Sequence, residues 1–178
     1  MFIEISTTNK KHLQGILKYA IQAEPYYKSF TRTKSAKIQH IIIGKIAEYL
    51  IYQNFIDKND NHIFSKPDFK IKKHPDPGWD MIHLKTGKKI DIKKQFDKKH
   101  FNFRINKLKA DIFGSFSNIV YNQETAEMSG DFEGFVTKTD LQNNLKESTH
   151  LYFRKLGYYF YVFRDNLNWQ YDIENFLS

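Results

Sequence analysis

Cysteine is absent from the 178 residues. That removes disulfides and every cysteine-ligated zinc site, and it fits a reducing, cytoplasmic setting. With 4 prolines and 8 glycines, no low-complexity linker or internal repeat divides the chain. No apolar run approaches the roughly 18 residues that a membrane span needs. The opening stretch MFIEISTTNKKHLQG has no charged-then-apolar signal pattern. A phosphate-binding glycine loop is missing, so nothing supports ATP-driven chemistry. His12, His40, His62, His74, His100 and His150 show no ligand spacing of the His-Glu-x-x-His kind.

What is present is ordinary globular material, 40% hydrophobic and 27% charged, in a length suited to one domain spanning 1–178. The net charge of +8 is unevenly spread. Residues 1–56 carry 8 Lys/Arg against 3 Asp/Glu, 57–110 carry 15 against 7, and 111–178 carry 5 against 10. The first two thirds are basic and the last third is acidic, which favours a polyanion on one side of the molecule. An AT-rich coding bias toward lysine and asparagine would also produce lysine clusters, so charge alone does not decide.

Residues 8–23 place Leu13, Ile16, Leu17 and Ile21 at helical spacing. A basic connection, 28–37, leads to a second helix expected over 38–56 and apolar around most of its circumference. Glu48 is its only acid, with Gly44 one turn earlier on the same face, leaving room beside the carboxylate. These helices form an N-terminal part, 1–56. Strand patterns follow at 69–73 and 101–106, within a sheet expected over about 69–106, and residues 107–130 read as ambiguous and partly helical. The C-terminal part, 131–178, reads as a strand over 132–137, a helix capped by Thr139 or Asp140, and an aromatic hairpin over 158–173. A strand buried on both faces accounts for those aromatics; a nucleotide-stacking platform is the functional alternative.

The stretch that carries chemistry is GWDMIHLKTGKKIDIKKQ, Gly78 to Gln95. Read as a hairpin turning at Thr86-Gly87, it pairs Asp80 with Lys93 and Ile82 with Asp91. Asp80, Asp91, Lys93 and Gln95 then emerge on one face, with Ile90 and Ile92 on the other. Two carboxylates held side by side repel unless a cation separates them. A hard divalent ion suits oxygen ligands and carries water that can become a nucleophile. Asp80, Asp91 and the Ile92 carbonyl would hold such an ion, with Lys93 beside it to hold a phosphate and help deprotonate the attacking water. The plainer alternative is a surface ion pair between Asp80 and Lys93, a solvated Asp91 and an exposed Glu48.

Asp80, then Asp91-Ile92-Lys93 after a short hairpin, with Glu48 on the preceding helix, resembles the PD-(D/E)xK nuclease superfamily. Trp79 stands where the motif has proline, and the literal Pro-Asp pairs, Pro67-Asp68 and Pro75-Asp76, lie outside the hairpin register. The resemblance covers about residues 38–165. It implies an α/β fold: a mixed central sheet flanked by helices, in the core order helix, three-strand meander, helix, strand. It implies a Mg²⁺-dependent endonuclease, with Mn²⁺ as a substitute, in which Asp80 and Asp91 bind metal and Lys93 is catalytic. Glu48 adds a ligand or a water-mediated contact, and Gln95 extends the same face. Small type II restriction enzymes, generally homodimers acting on double-stranded DNA, are the most similar in size and layout. A Holliday-junction or repair nuclease is the nearest enzyme alternative, and a non-catalytic nucleic-acid-binding module is the alternative of another class.

The run KKQFDKKHFNFRINKLK, 93–109, interleaves basic, amide and aromatic residues just after that strand. On the DNA-binding reading Lys98, Lys99, Lys107 and Lys109 meet phosphates while Asn102, Arg104 and Asn106 reach base edges. A solvated strand face explains the same run without DNA. His83 to Asp91 nearly fits the His-x-Lys-x4-Asp pattern of phospholipase D-like phosphodiesterases, but its aspartate falls one residue late and on the other face from His83.

Overall fold

The computed structural model describes residues 3–27, 32–69, 79–94, 100–103, 108–147, 160–163, 167, 169–171 and 173, with backbone alone at 100–103, 147 and 160–163. The fold is mixed α/β. Two helices lie early in the chain: α1, Lys10–Ala23, opened by the Asn9 side chain accepting from the His12 N–H, and α2, Lys34–Asn54, opened by Thr33 accepting from the Ala36 N–H. Helix α2 therefore begins four residues earlier than its apolar pattern suggests, because lysines and a serine are good company for a capped first turn. It buries Ile41, Ile42, Ile46, Ala47, Glu48, Tyr49, Leu50 and Ile51.

The chain begins with a strand rather than a helix: β1, Ile3–Thr8, pairs antiparallel with β6, Glu127–Thr137. The main sheet has five strands in the order β1-β6-β5-β3-β2, with β2 at Met81–Ile82, β3 at Lys89–Lys94 and β5 at Ile112–Tyr121. The stretch 107–130 thus forms strand β5 and the start of β6, not helix. Its runs of β-branched and aromatic residues favour a pleated, doubly covered position. Strands β2 and β3 are antiparallel, but β3 and β5 are parallel, so β3 is not followed by its next antiparallel neighbour as a meander requires.

Three short strands make a second sheet in the order β4-β8-β7: β4 at His100–Phe103, β7 at Lys146–Glu147 and β8 at Phe160–Phe163. The strand expected at 101–106 therefore leaves the catalytic sheet and pairs with β8. The short helix α3, Lys138–Asn143, is capped by Thr137, two residues before the expected cap, because the Thr137 hydroxyl already takes the Asp140 N–H. The strand expected at 69–73 lies outside the described residues apart from Phe69.

Two apolar clusters sandwich the main sheet. Helices α1 and α2 supply Leu13, Ile16, Ile46, Leu50 and Ile51 against Ile90, Ile92, Phe116, Phe132 and Phe135. Leu108, Ala110, Phe113, Val136, Leu141 and Leu167 form the second. Gly114 lies between Ile92 and Phe135, and a Cβ there would sit 2.8 Å from Ile92 Cδ1. Among the described residues no helix is long and apolar enough to cross a membrane.

Candidate active site

The hairpin that carries the site turns more widely than a two-residue Thr-Gly turn. Its loop is Leu84–Gly87, closed by the His83 N–H donating to the Lys88 carbonyl (2.9 Å) and the Gly87 N–H to that of His83 (2.8 Å). Gly87 has φ 70°, which glycine adopts at little cost. His83 is buried and hydrogen-bonded to the Thr86 hydroxyl (2.8 Å), so it braces the turn. The observed register, Met81 with Ile90 and Ile82 with Lys89, places Asp80 level with Asp91 instead of Lys93. This is a slip of two residues, which keeps every side chain on its expected face.

Strand β2 is only two residues long, so β3 runs on without it. In an antiparallel pair the N–H and C=O of one residue leave on the same side, alternating along the strand. Ile90 faces β2 and accepts the Asp80 N–H at 2.8 Å. Ile92 faces the same way, and its N–H donates to Asp80 Oδ2 at 2.8 Å. Asp80 therefore covers the open edge of β3, and the Ile92 carbonyl leaves beside it. Asp91 and Lys93, one pleat repeat apart, share the opposite face. The Lys93 ammonium lies 2.6 and 2.5 Å from the two Asp91 oxygens.

Glu48 joins this group from α2. It is 4% exposed, not solvated, and Lys45, three residues earlier, donates to both its oxygens at 2.8 and 2.6 Å. Gly44 leaves open space, with nothing within 4 Å of where its Cβ would be. Burial pushes the Glu48 carboxyl up to about 8, with Asp80 adding to the shift and Asp91 contributing less. Burial also raises Asp91 to about 8; Lys93 opposes this, while the Asp80 charge and a hydrogen bond with Asp80 reinforce it. Asp80 is thus the middle acid of three. Burial works against the Lys45 ammonium, but Glu48 and Asp80 outweigh it and raise its pKa. Two ion pairs do not satisfy these acids. The site is short of positive charge.

A cationic shoulder adjoins it. His40, near the start of α2, is held down to about 4 by burial and then by Arg32, Lys94 and Lys93. On β5, Ser115 stands level with Lys93 and its hydroxyl donates to Glu133, both groups buried. Glu133 is the extra residue of a bulge in β6, followed by Gly134 at φ 116°.

The structure thus brings together Glu48, Asp80, Asp91, the Ile92 carbonyl and Lys93. Gln95, Lys98, Lys99, Arg104, Asn106 and Lys107 lie outside the described residues, and Asn102 is described only as a β4 position opposite Tyr161. Lys109 is exposed between buried Leu108 and Ala110. Sequence reading missed Lys45, although a lysine one helical turn before the lone buried acid was a visible signal. It also missed Arg32, His40 and Lys94, and the Ser115–Glu133 pair, whose partners are too distant in sequence to link.

Oxygen donors in this crowded, under-neutralised set fit a hard divalent cation in chemistry. As placed, Glu48 and Asp91 are turned onto lysines, and among the described residues no three acidic or histidine side chains are grouped to ligate one ion. Comparison with known protein families, curated proteins and solved structures finds no match for this chain.

Proposed function

We propose that this chain is a divalent-cation-dependent deoxyribonuclease that hydrolyses phosphodiester bonds of double-stranded DNA, acting as a type II restriction enzyme. The observation that carries this reading is the convergence of three carboxylates, two of them raised to about 8, with the Lys93 amine on Asp91. Buried like charges are costly, and a fold keeps them together where a cation or a reaction repays the cost. The finer core order of the restriction-endonuclease type belongs to the same proposal. Helix α2 and the β2–β3 hairpin are consistent with its opening elements, while the parallel β3–β5 pair departs from its meander.

Asp80, Asp91, the Ile92 carbonyl and Glu48 would hold Mg²⁺, or Mn²⁺ in its place. The ion would supply charge neutralisation at the phosphate and a water acidic enough to attack. Lys93, turned from Asp91, would hold a non-bridging phosphate oxygen and stabilise the charge that develops there. Arg32 and Lys94 would meet neighbouring phosphates of the duplex. A homodimer would set two such sites on two strands, and a cytoplasmic setting would suit the cysteine-free chain. Junction resolution or repair would use the same residues on a different DNA shape.

A non-catalytic nucleic-acid-binding module has one observation in its favour, the cationic shoulder around His40. Such a module gains nothing from buried carboxylates, which repel phosphates. A plasmid digest with Mg²⁺ separates the readings. Discrete bands from wild type, lost in Asp91→Ala and Lys93→Ala, support a sequence-specific nuclease. Cutting confined to branched DNA supports a resolvase. Cutting that survives both substitutions removes this site from the reaction, and salt-sensitive binding without turnover supports the module.

A further inference from the structure

We propose that Lys45 is a second phosphate-holding amine of this site: it neutralises Glu48 while the cation is absent and turns to the scissile phosphate when the cation takes Glu48. This inference rests on the nuclease reading above. Its starting point is an asymmetry of roles. The two pairs in the site have the same form, an ammonium within 2.8 Å of both oxygens of a buried acid, yet sequence motifs single out only Lys93.

The Lys45 ammonium has three neighbours that fix where it stands. Glu48 holds it, Asp80 adds its charge to it, and the Tyr19 ring of α1 lies 5.6 Å away, centroid to Nζ. It is therefore inside the group of acids, facing the middle one, instead of reaching out from the helix into water. Its side chain is 16% exposed, enough for a substrate oxygen to reach it from outside. The open space at Gly44, one residue away, lets the lysine swing without displacing a neighbour.

Charge counting gives the amine a use. Three ionised carboxylates and two ammoniums leave the site with one negative charge. A divalent cation makes that one positive, and a single phosphodiester then neutralises it. Without Lys45 the same site, loaded with its cation, is already neutral and holds the phosphate less well. An ion and the Lys45 ammonium also compete for Glu48, so removing the amine should favour the ion.

The test uses the full chain with Mn²⁺ alone as probe, followed by single-turnover cleavage of a DNA duplex at saturating Mn²⁺. Lys45→Met should bind Mn²⁺ about tenfold more tightly, as expected for removing a competing charge at contact distance. It should cleave about 100-fold more slowly, the usual loss for one group that stabilises transition-state charge. Lys45→Arg should keep cleavage within about tenfold of wild type, since the charge is retained. Should Lys45→Met not fold, Lys45→Met/Glu48→Gln leaves no unpaired charge and is compared with Glu48→Gln; a further large loss of cleavage supports the proposal, and equal rates overturn it. Wild-type cleavage by Lys45→Met, or weaker Mn²⁺ binding, also overturns it while leaving the nuclease reading intact. A wild-type chain that neither binds Mn²⁺ nor cuts DNA overturns both.

Discussion

The helix-borne pair Lys45–Glu48 and the strand-borne pair Asp91–Lys93 make an instructive contrast. Both acid side chains are 6% exposed, but the Lys45 side chain is 16% exposed and that of Lys93 is 35%. Neither pair is explained by stability. On a helix the orientation with lysine before glutamate is the poorer one, and a buried ion pair is weak evidence for stabilisation because desolvation offsets attraction. What the difference teaches is position: Lys93 opens toward solvent and would meet an incoming phosphate first, whereas Lys45 stands deeper, against the helix and Tyr19.

The largest effects should come from breaking the strand pair. Asp91→Ala or Lys93→Ala should lower cleavage by 1,000-fold or more, about the loss seen when groups acting as a unit are removed. Duplex binding, measured by a gel-shift titration in Ca²⁺, should hold or tighten for Asp91→Ala. Breaking the helix pair from its acid side should matter less. Glu48→Ala should reduce cleavage about 100-fold, with partial recovery at high Mn²⁺, since a lost ligand weakens but does not abolish ion binding. Equal losses at the two acids would erase the contrast between an outer and an inner pair.

That contrast also marks how far the sequence could be read. Asp91 and Lys93 were legible because strand alternation places i and i+2 on one face whatever the register. The two-residue slip of the hairpin left the faces unchanged for the same reason. Glu48 was legible as the lone acid in an apolar helix, but its burial was not, since a single carboxylate is compatible with either side of a helix. Strand β1 was misread as part of a helical segment, although Ile3 and Ile5 alternate. Its partner β6 lies more than a hundred residues on, and nothing local reports such a pairing. The same non-locality hid Glu133, which reaches Ser115 only because a bulge in β6 turns it inward.

Acidity should distinguish the acids from their amines. Glu48 and Asp91 titrate near 8 in the folded chain, well above the ordinary carboxylate range of about 4 in the unfolded one. Protons therefore bind the folded state more tightly. The stability they add is present below about pH 4 and is lost as pH rises through 8. In EDTA the melting temperature should fall between pH 6 and pH 9, and divalent cation should restore it at pH 9 by binding the ionised acids. Glu48→Gln and Asp91→Asn should each flatten that fall and raise the melting temperature at pH 9 by a few degrees, roughly the response of a domain this size to about 1 kcal/mol. A flat profile in wild type would mean that the lysines fully compensate both acids.

The smallest effect tests whether the strand or its side chains set the geometry. In Gly114→Ala the new methyl would lie 2.8 Å from Ile92 Cδ1 and 3.3 Å from Phe135. The nearer atom is the tip of a side chain that can rotate, so the cost should be about 1–2 kcal/mol in urea unfolding, within the range for one added methyl in a packed core. The Ile92 backbone is held separately by Asp80, so its carbonyl should keep its place while its side chain moves. Cleavage should then change by less than about tenfold, a shift of under 1.4 kcal/mol in the barrier. A larger loss would mean that packing beneath β3, and not the Asp80 contact at its edge, sets the position of the acids.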